Sequence, residues 1–339
     1  MANEVILDVK NLSTSFITDK KETKIIKNVS FQLKKGSALA IVGESGCGKT
    51  VTVHSIVRLL PPNAKVTSDY VIYRSIKSGS LKEYRLDKLA NYGKAMRSLR
   101  GPEISMIFQD PMASLNPVYR IGTQIIEGLL NHNPHMKKNE AMQKALDMLK
   151  MLGVPAAEQR IYDYPHQMSG GMKQRVIIAI AMICDPEMII ADEPTTSLDV
   201  TIQAQIMELM KKLQTEYNKS IILITHNMGL VAEMADEVCV MYMGRIIEYG
   251  MVRNIYEHPS HPYTKALLQS VPVPGIKEKE LVTIPGSTPD PAELGPGCEF
   301  ADRCSYCTNR CREDRIHAYE LTENHWVRCL LYDDFKEVD

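Results

Sequence analysis

The chain has 339 residues, of which 44% are hydrophobic and 24% charged, a composition typical of a globular protein. Its 40 Lys and Arg nearly balance 41 Asp and Glu, so the net charge of -1 provides no overall attraction for nucleic acid or anionic lipid. The longest unbroken apolar run, residues 176–184, is much shorter than the ~20 residues of a membrane-spanning helix. No basic region followed by an apolar core stands at the N-terminus, so we expect no secretory signal and a cytosolic location.

Strand-like and helix-like patterns alternate along most of the chain. Three apolar runs have the length of buried strands, and helical spacing of apolar residues follows each of the first two. In chain order these segments are 38–42 (strand), 50–60 (helix), 172–183 (helix), 188–192 (strand), 200–217 (helix) and 221–225 (strand). The alternation predicts an α/β fold in which helices cover a mostly parallel sheet.

The pattern changes near residue 271. Six Pro and four Gly fall within residues 272–297, which predicts a linker or an extended connecting segment. Five of the eight cysteines then lie within residues 298–329. In a reducing cytosol this density favours a metal or redox centre over disulfides, and a metal would stabilise a segment whose own core is thin. We therefore expect a first domain at 1–262 and a C-terminal cysteine-rich, metal-binding extension at 263–339.

A phosphate-binding loop is predicted between the first strand and the first helix. Residues 43–50 read Gly-Glu-Ser-Gly-Cys-Gly-Lys-Thr and match the pattern G-x-x-x-x-G-K-[ST], which does not recur in the sequence. Backbone N–H groups of such a loop surround an anion, and the helix N-terminus adds partial positive charge. Lys49 can reach the β- and γ-phosphates, and the Thr50 hydroxyl can ligate Mg²⁺. The predicted ATP-binding residues here are Gly43, Ser45, Gly46, Cys47, Gly48, Lys49 and Thr50.

Two further motifs contain candidate catalytic and anion-binding residues. The apolar strand at 188–192 runs into the carboxylates Asp192 and Glu193, at the strand end where α/β sheets place ligands. Asp192 would hold Mg²⁺, and Glu193 would orient and deprotonate an attacking water. About twenty residues upstream, Ser-Gly-Gly at 169–171 begins a helix and offers a second backbone site for an anion.

In this order the motifs resemble the ATP-binding cassette (ABC) ATPases over roughly residues 5–260. The resemblance implies an ABC-type mixed sheet core with a helical subdomain at about 110–180. It also implies that two such domains sandwich two ATP molecules, with the loop at 169–171 contacting the ATP bound to the partner subunit. It implies that Gln109 is the Q-loop glutamine and a magnesium contact, and that Ser169, Gly170 and Gly171 form the signature loop. It further implies that Asp199 belongs to the D-loop and that His226 is the switch histidine. Phe16 would stack on adenine or occupy a core position.

The likeness extends to one group within that family. The segments 107–117, 164–175, 261–267 and 284–289 and the cysteine tail are similar to the D-type ATPase subunit of dipeptide and oligopeptide importers. This implies ATP hydrolysis that powers peptide import, in a heterodimer with a related F-type ATPase on two integral membrane permease subunits. An extracytoplasmic peptide-binding protein would deliver the solute, the ATPase would lie peripherally on the cytoplasmic face of the membrane, and no nucleic acid is involved. Residues 68–100 depart from the family pattern, which leaves their local structure open.

The cysteines follow the spacing C-x5-C-x2-C-x3-C-x17-C from Cys298 to Cys329. Spacing alone leaves a zinc Cys₄ site and an iron–sulfur cluster open. The family resemblance implies a [4Fe–4S] cluster, with Zn²⁺ as the alternative, and leaves Cys307 as the extra thiol; the role of the cluster, structural or redox-sensing, stays open. The four implied ligands are Cys298, Cys304, Cys311 and Cys329.

Three alternatives compete with peptide import. A related importer ATPase could serve nickel or another small solute, since specificity lies largely in the binding protein and membrane subunits. A non-transport ABC ATPase of DNA repair or ribosomes usually holds two cassettes in one chain or a strongly basic surface, and neither is seen here. An electron-transfer or sensor protein built around the cysteine tail does not explain the full set of ATPase motifs.

Overall fold

The computed structural model describes residues 4–338 except 19–20, 76, 78–79, 197 and 272–283. The first 12 residues of the connector predicted at 272–297, residues 272–283, therefore lie outside the described part of the chain. The strands of the described part are β1 (Val5–Thr18), β2 (Lys21–Lys34), β3 (Ala38–Val42), β4 (Ala64–Thr67), β5 (Tyr70–Ser75), β6 (Lys82–Arg85), β7 (Ile104–Ile107), β8 (Met188–Asp192), β9 (Ser220–Thr225), β10 (Glu237–Tyr242), β11 (Arg245–Met251), β12 (Tyr319–Thr322), β13 (His325–Val327) and β14 (Lys336–Glu337). Its α-helices are α1 (Lys49–Ile56), α2 (Lys94–Leu99), α3 (Pro111–Ser114), α4 (Ile121–His132), α5 (Lys138–Met151), α6 (Ala157–Arg160), α7 (Gly170–Met182), α8 (Val200–Thr215), α9 (Met228–Met234), α10 (Val252–Glu257), α11 (Pro262–Gln269) and α12 (Asn309–Glu313).

A mixed sheet forms the centre of the molecule. Its strand order is β14-β12-β13-β11-β10-β3-β9-β8-β7, and the five strands from β10 to β7 run parallel. Every residue of β3, β8, β9 and β10 is buried, which explains why these strands read as continuous apolar runs instead of alternating patterns. The predicted α/β fold is confirmed, and the carboxyl ends of β3, β8 and β9 meet at one edge of the sheet.

A second, antiparallel sheet lies on one side of the core. Its strand order is β2-β1-β5-β6, and β4 pairs with β1. The segment whose local structure the sequence left open, residues 68–100, contributes β5, β6 and α2 to this region. Tyr73 and Met96 from that segment are fully buried in the core shared by the two sheets, so the segment packs as an integral part of the fold.

Helices α4, α5 and α7 pack together beside the mixed sheet. In α5 the buried residues Ala141, Ala145 and Leu149 recur every four positions and form one apolar face. Full burial of an Ile or Leu side chain contributes ~1.5–3 kcal/mol, so this face holds α5 against its neighbours. The packing positions the N-terminus of α7, where Ser169 caps the helix. No helix within the described ranges is both long and apolar enough to cross a membrane.

The C-terminal segment continues the mixed sheet. β13 pairs with β11 through Glu248↔Val327 and Tyr249↔Trp326, and the Tyr249 and Trp326 rings stack with centroids 5.9 Å apart. Strands from both sides of residue 262 share one sheet, so the sheet itself does not mark a domain boundary there. The predicted boundary stays a prediction.

Candidate active site

The loop between β3 and α1 takes a backbone path that only glycine permits at two positions. Gly43 has φ 154° and Gly48 has φ 103°. A Cβ atom would lie 2.1 Å from the Met241 carbonyl oxygen at Gly43 and 2.6 Å from Ile26 Cδ1 at Gly48. Gly43 and Gly48 are thus required by close approach of the loop to neighbouring backbone and side chains.

The Lys49 ammonium lies inside this loop and is buried. Its Nζ donates hydrogen bonds to the carbonyl oxygens of Gly43 at 2.8 Å and Glu44 at 3.0 Å. Cys47, also buried, has its carbonyl oxygen bonded by the Gly244 N–H at 2.9 Å, while burial raises the pKa of its thiol. The loop carbonyl oxygens therefore hold the buried ammonium in place, and Cys47 connects the loop to Gly244 through its backbone.

Asp192 ends β8 and connects the sheet edge to the phosphate loop. Its Oδ1 accepts a hydrogen bond from Thr50 Oγ1 at 3.1 Å. Burial raises the pKa of the Asp192 carboxyl, and the adjacent Glu193 charge adds to this, while Thr50 and Lys49 oppose it. A carboxylate and a hydroxyl thus stand together at the predicted magnesium position, and oxygen donors of this kind suit Mg²⁺.

Glu193 is held by three side chains. Its Oε2 accepts hydrogen bonds from Thr196 Oγ1 at 2.8 Å and Gln109 Nε2 at 3.1 Å, and its Oε1 lies 3.2 Å from His226 Nδ1. Burial alone would raise the pKa of the Glu193 carboxyl, but the hydrogen bonds from Thr196 and His226 outweigh it and lower that pKa. Glu193 is accordingly an ionised, oriented carboxylate.

The backbone at Glu193 is strained. Its φ is 45°, in the left-handed region that non-glycine residues rarely occupy, and its N–H donates to the Ile224 carbonyl oxygen at 2.9 Å. Strain of this kind costs ~1–3 kcal/mol and persists where the surroundings enforce it. The bond to β9 fixes the position from which the Glu193 carboxylate enters the site.

One cavity of about 590 Å³ brings many of these groups together. Gln109, Glu193 and His226 line it beside the phosphate loop, in agreement with their predicted proximity. Its lining residues are Gly43, Glu44, Ser45, Gln109, Glu193, His226, Leu267, Ser270, Ile284, Gly286 and Arg303. The last five come from the segment beyond residue 262, so that segment forms one wall of the cavity.

Eleven of the residues predicted for the nucleotide site do not line this cavity. Ser169 and Asp199 are exposed N-caps, whose side chains accept from the N–H groups of Met172 at 3.4 Å and Ile202 at 3.0 Å. The predicted residues that do not line the cavity are Gly46, Cys47, Gly48, Lys49, Thr50 and Asp192 of the phosphate loop and the strand end beside it, and Phe16, Ser169, Gly170, Gly171 and Asp199. Phe16 is half-buried in β1 opposite Thr23. At the N-terminus of α7, Ser169 and Gly170 are exposed and could contact a second molecule, whereas Gly171 is buried.

Two contacts to the phosphate loop were not foreseen from the sequence. Arg303 forms a bidentate ion pair with Glu44, with Nη1–Oε2 at 2.7 Å and Nη2–Oε1 at 3.0 Å, and its side chain is only 5% exposed. The Glu44 N–H donates to the Tyr263 hydroxyl oxygen at 2.8 Å. Arg303 and Glu44 are 259 positions apart in the sequence, so no local sequence pattern predicts the pair. Tyr263 belongs to a His-Pro-Tyr segment that the family resemblance had picked out without a role.

The four cysteines implied as cluster ligands line one cavity of about 530 Å³. Burial raises the pKa of Cys298 to about 12 and that of Cys329 to about 11. Cys307 does not line this cavity, and its thiol donates to the Thr308 carbonyl oxygen at 3.5 Å. Cys307 thus differs from the other four in its surroundings, and the ligand set that the family resemblance implies stays a prediction.

The metal predicted for the extension is not confirmed by this geometry. Within the part of the chain that the structure describes, no three His, Cys, Asp or Glu side chains lie close enough to hold a metal ion. A tetrahedral zinc needs every sulfur within ~2.3 Å of one ion. The described cysteines therefore do not form a site closed around a single zinc ion.

Comparison with known proteins places these features in a family. The ABC transporter family profile matches residues 26–196, and the profile described as the oligopeptide/dipeptide transporter C-terminal region matches residues 247–311. The dipeptide transport ATP-binding protein DppD of Lactococcus lactis subsp. cremoris is 47% identical over 98% of this chain and 93% of its own length. DppD of Bacillus subtilis is 47% identical over 98% of this chain and 97% of its own, and the oligopeptide transport ATP-binding protein AppD of the same organism is 45% identical over 97% of each.

Solved structures show the same likeness. The dimeric post-hydrolysis structure of the ATP-binding cassette MJ0796 with ADP and Pi superposes with a TM-score of 0.62 at 27% identity, covering 73% of this chain and 99% of that one. The cbiO1 subunit of the Clostridium perfringens cbiONQ transporter gives a TM-score of 0.58 at 26% identity, covering 76% and 92%. The chain is therefore an ATPase of the ABC transporter family, and its C-terminal region assigns it to the oligopeptide/dipeptide transporter group.

Proposed function

We propose that this ATPase powers the import of dipeptides or oligopeptides. The observation that carries the proposal is the Glu193 carboxylate, held by Gln109, Thr196 and His226 in a cavity bounded by the phosphate loop. The substrate class is supported by the relatives, which are named as dipeptide and oligopeptide transport ATP-binding proteins and match nearly the whole chain.

The residues of the site act in a defined order. The phosphates of ATP bind the backbone of residues 43–48, and Lys49 turns its ammonium from the loop carbonyls to the β- and γ-phosphates. Thr50, Asp192 and Gln109 would hold Mg²⁺ through side-chain oxygen atoms, and the bound ion would neutralise phosphate charge. Glu193 then accepts a proton from the attacking water, a contribution of about 10²–10⁴-fold in rate.

His226 and Gln109 orient that base. The His226 side chain is 60% exposed while Glu193 is 12% exposed, so the histidine forms the solvent-facing rim of the carboxylate. From this rim His226 is placed to contact the γ-phosphate. Gln109 lies on the exposed segment after β7, and from there it connects the site to the membrane subunits.

A second ATPase subunit completes the site. The N-terminus of α7 carries the exposed Ser169 and Gly170 and the buried Gly171, and we assign all three to the ATP bound by the partner. We assign the exposed Asp199 to the junction of the two subunits. The solved cassette MJ0796 is described as a dimer, which supports this arrangement. We take the partner to be a related F-type ATPase, and the pair to bind two permease subunits at the cytoplasmic face of the membrane.

A [4Fe–4S] cluster fits the cysteine cavity better than a single metal ion does. Cys298, Cys304, Cys311 and Cys329 border one space, and a four-iron cube separates its ligands more widely than one ion would. A buried ring nitrogen of His261, a lining residue, has no hydrogen-bond partner among the described residues. The cluster would crosslink a segment with little core of its own.

The test of this function uses the assembled transporter. We would reconstitute the ATPase with its candidate F-type and permease subunits in proteoliposomes and measure ATP hydrolysis with the binding protein present. Hydrolysis stimulated by a dipeptide or oligopeptide is expected; stimulation by nickel alone, or by neither, would contradict peptide import. Analysis of anaerobically purified protein should find iron and sulfide in equal amounts, and zinc without iron would overturn the proposed cluster.

A further inference from the structure

The His261 ring contains a buried polar atom that the rest of the fold leaves unused. His261 is 1% exposed and lines the cavity bordered by the four cysteines. Its Nε2 is buried and meets no hydrogen-bond partner in the described part of the chain. A buried polar group of this kind costs free energy unless something in its surroundings bonds to it.

The other ring nitrogen determines what Nε2 can do. Nδ1 accepts a hydrogen bond from the Tyr263 N–H at 3.0 Å and so caps α11. Burial, with a smaller contribution from Lys265, lowers the pKa of His261 to about 4, against the opposing charge of Glu248. The ring is therefore neutral near pH 7, and because Nδ1 is the acceptor, the proton is on Nε2. The unused atom is a hydrogen-bond donor.

The nearest charged group does not accept this proton. Glu248 is fully buried, and its carboxylate accepts from the backbone N–H groups of Ser260 at 2.8 Å and His261 at 2.9 Å. His325 Nε2 contacts the same carboxylate at 3.0 Å. The Phe300 ring lies across the histidine with centroids 5.9 Å apart and offers no conventional acceptor. What remains beside Nε2 is the cysteine cavity.

We propose that His261 donates a hydrogen bond from Nε2 to a sulfur atom of the group held by the four cysteines. The inference rests on the proposed [4Fe–4S] cluster and adds a positioning and tuning residue to it. Hydrogen bonds to the sulfurs are among the features that set the potential of such clusters. A donor stabilises the more negative, reduced state, so His261 raises the reduction potential.

The same short segment reaches the phosphate loop. Tyr263, whose N–H bonds to the His261 ring, accepts the Glu44 N–H at its hydroxyl oxygen. His261, Pro262 and Tyr263 thus span the distance between the cysteine cavity and the nucleotide site. One short segment therefore borders the cysteine cavity and bonds to the phosphate loop.

Two substitutions separate the donor at Nε2 from the cap at Nδ1. In His261→Asn the side-chain oxygen occupies the position of Nδ1, so the cap remains and the donor is lost. In His261→Gln the amide nitrogen occupies the position of Nε2, so the donor remains and the cap is lost. The full-length variants would be purified anaerobically with the other transporter subunits, and iron, sulfide and the reduction potential would be measured by spectroscopic redox titration.

We expect a potential close to wild type for His261→Gln and a shift to more negative values for His261→Asn, or loss of iron from His261→Asn alone. A potential close to wild type for His261→Asn, together with a shift or loss of iron in His261→Gln, would assign His261 only its capping role. Identical behaviour of the two variants would also overturn the proposal. Iron-free wild-type protein would overturn the cluster itself. Equal iron in all three proteins with unchanged potentials would overturn only the role of His261.

Discussion

At the scale of single residues, the central feature is the environment of Glu193. A buried carboxylate ordinarily has a raised pKa, yet hydrogen bonds from neighbouring side chains reverse the direction here. The adjacent Asp192 has the opposite shift, mainly through burial. Two neighbouring carboxylates thus have pKa values moved in opposite directions: Glu193 is kept ionised, so it is available to accept a proton, whereas a cation beside Asp192 would offset the burial that raises its pKa.

Thr196→Val removes one hydrogen bond from the Glu193 carboxylate without changing the shape of the side chain. The pKa of Glu193 should rise, because that bond favours the ionised form. Glu193 then becomes protonated at a higher pH. The decline of kcat on the acid side of its pH profile should therefore move to higher pH. Thr196→Ser keeps the hydroxyl and is the matched control. An unmoved acid limb in Thr196→Val, measured in the assembled transporter, would show that Thr196 does not tune the base.

At this scale the sequence predicts contiguous motifs and misses distant contacts. The phosphate loop and the Asp192–Glu193 pair are each encoded within a few residues, so strand, turn and helix patterns sufficed to place them. Gln109 and His226 could be assigned only through the family resemblance, because the sheet brings them together from separate strands. The residue type at position 193 does not predict its left-handed backbone, because a hydrogen bond to β9 holds this conformation.

At the scale of elements, the C-terminal segment supports the phosphate loop. Arg303 stands next to Cys304 in the chain and pairs with Glu44, while Tyr263 at the start of α11 bonds to the backbone of the same residue. The Tyr242, Tyr263 and Phe300 rings pack beneath these contacts, with centroids 4.7–5.4 Å apart. These packed rings hold the cysteine-bearing loops against the cassette, an arrangement that the Pro- and Gly-rich sequence between them does not predict.

Arg303→Gln should weaken nucleotide binding, because a nearly buried pair that orders the loop loses one partner. Glu44→Gln should have a similar effect, and the double variant should be no worse than either single one, with a coupling energy of about 0.5–3 kcal/mol. Binding of a fluorescent ATP analogue to the purified chain measures this.

Arg312→Gln is the matched control for Arg303→Gln. Arg312 also neighbours a cysteine, Cys311, but pairs with Asp302 instead of the phosphate loop. It should bind nucleotide like wild type. Two outcomes would refute a role of the Arg303–Glu44 pair in nucleotide binding. One is that the losses of nucleotide affinity in the two single variants add up in the double variant. The other is an equal loss of affinity in Arg312→Gln.

At the scale of the whole molecule, the predicted site residues fall into two groups. Part of the phosphate loop and Glu193 line a cavity, whereas Ser169 and Asp199 are exposed and do not line it, in keeping with the proposal that a second subunit completes the site. The α/β core could be predicted from its apolar runs. The joining of the C-terminal segment to the same sheet could not, because β12, β13 and β14 are only two to four residues long.

Ser169→Arg tests the assignment to a partner site. ATP binding by the isolated chain should be unchanged, because Ser169 does not line its own cavity, while hydrolysis by the assembled transporter should fall at least tenfold. Ser98→Arg, exposed on α2, is the control and should hydrolyse normally. Loss of ATP binding by the isolated Ser169→Arg chain would place Ser169 in the site of its own subunit.

The most direct test of the account compares ATP binding with ATP hydrolysis in Glu193→Gln. Glutamine preserves the shape of the side chain but cannot accept the proton of water. In the assembled transporter we predict that hydrolysis falls by about 10²–10⁴-fold while ATP remains bound, with Glu216→Gln, exposed at the end of α8, as the unaffected control. Hydrolysis by Glu193→Gln at the wild-type rate would contradict the assignment of Glu193 as the base and the mechanism built on it.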